Sequence, residues 1–156
     1  MRSAYRVLAL LIALGVFFQA ASMAFAVFEI FHVVDQGTVF DKAYAEDIHA
    51  ENPGIAGHGI VGMGLIPLLS IILLVVSFFA KVRGAVKFAA LILLAVVVQI
   101  ALVFAAFILE VPIIGALHGI NALVILGLAI NAARMTKSAV PHGAVTQDET
   151  VAARGV

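Results

Sequence analysis

Four apolar runs, each long enough to cross a bilayer as a helix, fill most of this chain. They cover about residues 5–34, 53–80, 84–109 and 112–133, with short polar segments between them. A helix rises about 1.5 Å per residue, so ~20 apolar residues cross a hydrocarbon core about 30 Å thick. Of 156 residues, 64% are hydrophobic and only 12% are charged. That leaves too little polar surface for a soluble domain, so the excess apolar side chains are expected to face lipid. The expected fold is all-α, an integral membrane up-down four-helix bundle over residues 1–137. The polar segment 138–156 has no apolar periodicity and reads as a disordered cytoplasmic tail. The absence of cysteine excludes disulfides, thiolate metal sites and cysteine catalysis. Without tryptophan, any aromatic belt must come from Tyr and Phe.

The start of the chain has two readings. Arg2 and Arg6 precede the first apolar run, and Ala24-Phe25-Ala26 has the small-x-small pattern of a signal-peptide cleavage site. The run continues to about Phe31, which favours a retained span. Pro53 and Pro112 stand where a helix start tolerates the missing N–H, whereas Pro67, inside the second run, is expected to kink it.

Charge distribution sets the expected orientation. Arg2, Arg6, Lys81, Arg83, Lys87, Arg134, Lys137 and Arg154 fall on one side of the four spans, with Lys42 alone on the other. Asp35, Asp41, Glu46, Asp47 and Glu51 crowd the first outer segment. The positive-inside rule places both termini and the loop holding Lys81, Arg83 and Lys87 in the cytoplasm, in a multi-pass protein of the cell (inner) membrane. Those three cations are expected to contact anionic lipid. Net charge is zero, and no nucleic-acid partner is expected.

Ionisable groups inside a bilayer are functional candidates by default. His58 lies about five residues past Pro53 and His118 about six past Pro112, so both sit at matched depth below the outer surface. The second and fourth helices of an up-down bundle are diagonal partners across the core. Two inward imidazoles at one depth suit the two axial positions of a haem iron. Gly62, one turn from His58, would clear space for the ring, and Asn121 is placed to hydrogen-bond a ligand or a neighbouring helix. The alternative is close helix packing, in which small residues line a seam and each histidine bonds a carbonyl.

His58-Gly-Ile-Val-Gly62 and Leu117-His118-Gly-Ile-Asn-Ala-Leu123, on the second and fourth helices, resemble one four-helix half of a haem A synthase. The chain also resembles short uncharacterised bacterial four-helix membrane proteins. The synthase resemblance implies histidine ligands for haem near the outer face. That family commonly has Arg after the second-helix histidine and Glu three residues before it, where this chain has Gly59 and Ile55. The resemblance therefore implies haem binding rather than the synthase's oxidative chemistry.

Glu29 and His32 share a face near the outer end of the first helix, and Glu110 ends the third at a similar level. With His58 and His118 they would make five ligands for a Zn or Cu ion, or they simply reach headgroups and water. Gln19 and Gln99 lie mid-span and are expected to bond across helices, with a quinone contact as the alternative. Ala20 and Ala24 read as a packing seam, and His49 and His142 as solvated. The function expected is a b-type haem membrane protein with bis-histidine ligation and an electron-transfer or redox role near the outer face. A quinone or redox protein would be its partner. The alternatives are a non-enzymatic accessory subunit of a larger membrane complex, or a small Zn/Cu-binding membrane protein, with a homo-oligomer needed to enclose any transport path.

A topology reporter fused to the C-terminus is expected to read cytoplasmic, given eight basic residues on one side and one on the other. A periplasmic readout would overturn the orientation.

Overall fold

The computed structural model describes residues 1–136, apart from the side chains of His49 and Ala50; the tail expected to be disordered lies outside the described residues. Among the described residues the chain is helical, without strands. The elements are α1 (Arg2–Asp35), α2 (Lys42–Glu51), α3 (Pro53–Ile60), a π-turn (Val61–Leu65), α4 (Ile66–Ser77), α5 (Ala85–Leu109) and α6 (Pro112–Met135). Among the described residues four segments are long and apolar enough to cross a membrane: Arg2–Asp35, Pro53–Ser77, Ala85–Leu109 and Pro112–Met135.

Local chemistry sets the boundaries. Gly84 (φ 82°) and Glu110 (φ 53°) adopt the left-handed conformation at the two ends of α5, and Pro112 opens α6 from the first turn. The short helix α2 falls in the acidic segment that the sequence marks only as a polar loop. Its start is capped by Asp41, whose carboxylate accepts the Tyr44 N–H at 2.9 Å. Asn52 then ends α2 and caps α3, its Oδ1 accepting the N–H groups of Gly54 and Ile55. Pro67, where a kink is expected, closely follows a π-turn, Val61–Leu65, in the second apolar segment. A proline cannot donate to the helix ladder, and the wider turn accommodates the lost bond.

The four long segments form a ring. α1 packs against α3 and α4 on one side and α6 on the other, and α5 packs against α4 and α6. Consecutive spans are antiparallel neighbours, so α1 faces α5, and α3–α4 faces α6, across the centre. One half of the ring is closed. Ala9, Ile12, Leu73, Ile92, Ala129 and Ala132 are fully buried there, and the Tyr5 hydroxyl donates to the Ala85 carbonyl at 3.0 Å. In the other half α1 and α3 approach closely. At Gly54 an added Cβ would collide with the Ser22 carbonyl and come within 2.9 Å of the Ala26 nitrogen. α5 beyond Val96 and α6 before Ile125 have no fully buried residues.

The halves of the chain repeat each other more closely than the sequence alone suggests. The shift carrying Ala9 onto Ala89 also carries Ile12 onto Ile92, Val16 onto Val96 and Gln19 onto Gln99, and the first three pairs are all buried. The shift carrying His58 onto His118 carries Gly59 onto Gly119 and Ile60 onto Ile120. Past the π-turn it shortens by one residue and superimposes Ile66 on Ile125, Ser70 on Ala129, Leu73 on Ala132 and Ser77 on Thr136, all buried. The hydroxyls of Ser77 and Thr136 even make the same bond, to the carbonyls of Leu74 and Ala133. The π-turn is thus a one-residue insertion into the first of two matched hairpins.

Gly54→Ala is expected to destabilise the protein by about 1–3 kcal/mol, because backbone rather than a flexible side chain meets the new methyl. Gly127→Ala meets nothing within 4 Å and should stabilise by roughly 0.5–1 kcal/mol. Unfolding of the two variants in detergent, followed by circular dichroism, checks the contrast.

Candidate functional site

His58 and His118 project toward each other from diagonal helices, with ring centroids 6.2 Å apart and planes tilted by 51°. Their helices make little other direct contact, so the two half-buried imidazoles bridge the centre of the ring.

The same device orients both rings. His58 Nδ1 lies 3.2 Å from the Gln19 main-chain carbonyl on α1, and His118 Nδ1 lies 3.2 Å from the Gln99 carbonyl on α5. A carbonyl only accepts, so each Nδ1 carries the proton and each Nε2 carries a lone pair. A helical carbonyl has a second lone pair to offer, so this bond does not break the helix that provides it. Each glutamine therefore fixes a tautomer on the neighbouring antiparallel helix.

The glutamine side chains differ between the halves. Gln19 Nε2 donates to the His58 carbonyl at 2.9 Å, beside the π-turn, and its buried Oε1 has no hydrogen-bond partner. Gln99 Nε2 instead meets His118 Nε2 at 3.1 Å, and its Oε1 accepts from Asn121 Nδ2 at 2.6 Å. Asn121 Nδ2 also donates to the Ala95 carbonyl at 2.8 Å. Three residues after His58, where His118 has Asn121, stands Val61, which has no donor to give.

Around these groups lies a cavity of about 400 Å³. His58, His118, Gln19 and Gln99 are its polar side chains, and side chains such as Val16, Met23, Met63, Val103 and Leu123 make the rest of the wall apolar. Gly59 and Gly119 both line it, and a Cβ on either would meet nothing within 4 Å. Gly62 lines it too, but the space left by its missing Cβ is taken by the Gln19 carboxamide, 3.1 Å away. The open space beside the histidines thus lies at Gly59 and Gly119 rather than at Gly62.

The other candidates stand elsewhere. Glu29 accepts a hydrogen bond from Asn52 Nδ2 at 2.8 Å and so ties α1 to the cap of α3. His32 is exposed, with Nε2 3.0 Å from Gln36 Nε2, and Glu110 is the exposed left-handed cap of α5. Among the described residues no three His, Asp or Glu side chains come together as a metal site, so the five-ligand arrangement is not assembled. Sequence reasoning missed Asn52, although an Asn directly before Pro53 is a legible cap signal.

No family model, characterised protein or solved structure matches this chain. Fold and site define a class nonetheless: a helical chain with four segments able to cross a membrane, arranged about a central apolar cavity that holds a glutamine-oriented histidine pair.

Proposed function

We propose that this chain is an integral membrane protein that binds one b-type haem between His58 and His118 and passes electrons near the outer face of the inner membrane, both termini lying in the cytoplasm. The observation that carries this reading is the 6.2 Å separation of the two ring centroids. A metal-bound imidazole nitrogen lies about 2 Å from its ion and roughly 1 Å from the ring centre, so two imidazoles facing across one ion have centroids about 6 Å apart.

Further features support it. Both rings donate Nδ1–H to a backbone carbonyl, the outer contact that metal-ligating histidines ordinarily make. The cavity is far larger than a bare ion, and its apolar wall suits a macrocycle. A lone Zn or Cu ion would want three or four protein donors, which the described residues do not bring together. Large apolar side chains such as Leu14, Phe17, Phe28, Leu94 and Phe107 are exposed on the outside of the bundle, as lipid contact requires. Bound haem would supply one-electron chemistry. The chain's own residues would ligate it, hold the rings in one tautomer and exclude water, which tunes potential. A haem confined to one end of the bundle cannot carry electrons across the whole bilayer, so a quinone or a redox protein is the implied partner. Lys42 on α2 is a basic side chain at that end for the propionates.

A second reading, a non-enzymatic accessory subunit, is supported by one feature: His118 is hydrogen-bonded at both ring nitrogens, as a purely structural histidine would be.

Purified protein reconstituted with haem b is expected to show a low-spin fraction with a sharp reduced α-band. His58→Ala and His118→Ala should each shift it toward high spin or lower occupancy, and the double variant should bind none. Gly59→Leu and Gly119→Leu should lower occupancy with both ligands intact, since a side chain would enter the open space. Low-spin spectra in both single histidine variants would contradict the ligation, and the absence of any Soret shift in the parent protein favours the accessory-subunit reading.

A further inference from the structure

The two histidines are bonded differently, and the difference follows from one residue. At His58 only Nδ1 is bonded, and Nε2 keeps its lone pair. At His118 the lone pair on Nε2 is already taken by the Gln99 carboxamide N–H.

The direction of that contact is set from behind. The Ala95 carbonyl can only accept, so the Asn121 group facing it must be the amide nitrogen. That amide also faces Gln99, so the Gln99 atom it meets is the carboxamide oxygen. Gln99 is thereby turned with its nitrogen toward His118. The chain of donors closes on itself, because His118 Nδ1–H returns to the main-chain carbonyl of the same Gln99. In the first half, Val61 stands where the second has Asn121. Nothing holds the Gln19 oxygen, its nitrogen turns to the His58 carbonyl, and the His58 lone pair is left open.

We infer that Gln99, aimed by Asn121, is a latch on His118: His58 is the standing donor of the site, and His118 ligates only when the Gln99 amide swings away. This rests on the bis-histidine reading above. It makes Gln99 and Asn121 positioning residues that set the balance between five- and six-coordinate haem. The competing interaction is one neutral hydrogen bond, so its removal should favour the His118 bond by roughly three- to tenfold.

The test uses the full chain in detergent, with ¹⁵N-labelled histidine, in three forms: parent, Gln99→Leu and Asn121→Val, the last copying Val61. Without haem, the His118 Nε2 resonance should move in both variants while the His58 resonances stay. With haem b, both variants should show a larger low-spin fraction and haem loss slower by roughly three- to tenfold, the Asn121 change acting more weakly because it only frees the latch. If His118 Nε2 does not move in Gln99→Leu, the latch is overturned whether or not haem binds. If Gln99→Leu weakens ligation as His118→Ala does, Gln99 supports the bond rather than competing with it, and the latch is again overturned. If His118 Nε2 moves but no protein binds haem, the latch contact stands and the haem reading falls.

Discussion

An imidazole inside an apolar bundle has an N–H that must be bonded, because an unpaired buried polar group costs about 1–3 kcal/mol or more. In this chain both central histidines meet that demand on a main-chain carbonyl of the adjacent antiparallel helix, Gln19 for His58 and Gln99 for His118. Much else follows from these two bonds. They set the register of α1 against α3 and of α5 against α6. They fix each ring in the Nδ1–H tautomer, and they hold the two ring centroids 6.2 Å apart at the centre of the ring of helices. A helix interior offers such a bond without losing its own, since a carbonyl oxygen accepts twice.

The remainder of the architecture holds that pair at the boundary between two kinds of packing. Toward Met1 and Thr136 the bundle is closed by small residues and by hydroxyls that bond their own helix, Ser70, Ser77 and Thr136. Toward α2 the α1–α3 contact at Gly54 is tight, and the cavity lies among α1, α3, α5 and α6. A rigid half carrying a looser half suits a ligand site, since local opening is least costly where few side chains are buried. The two matched hairpins explain the near-symmetry of the histidines. The π-turn and the exchange of Val61 for Asn121 explain where that symmetry stops.

Much of the fold was legible in the sequence because it depends on run length and punctuation. The four apolar segments, the prolines at 53 and 112, and the diagonal placement of His58 and His118 needed only helix rise and short loops. α2 was not legible, because charge and the lack of an apolar stripe hid a helix that rests on the Asp41 and Asn52 caps. At the site, the pair was foreseen and its supports were not. Gln19 and Gln99 read as generic cross-helix polar groups, since nothing local shows that their main-chain oxygens rather than their amides orient the rings. Gly62 read as room for a ring, but the side chain filling that room comes from another helix, which spacing along one helix cannot reveal. Glu29, His32 and Glu110 lie toward the same outer end as the histidines in the sequence, but a shared end does not bring side chains together.

The central claim is that His58 and His118 flank a single iron. Anomalous diffraction at the iron edge, from crystals of the full chain grown with haem b, tests it directly. The account predicts one iron peak between the two Nε2 atoms, with both Nδ1 atoms still on the Gln19 and Gln99 carbonyls. An iron peak away from the pair, or a cavity without iron in which Gln99 still bonds His118, would contradict it.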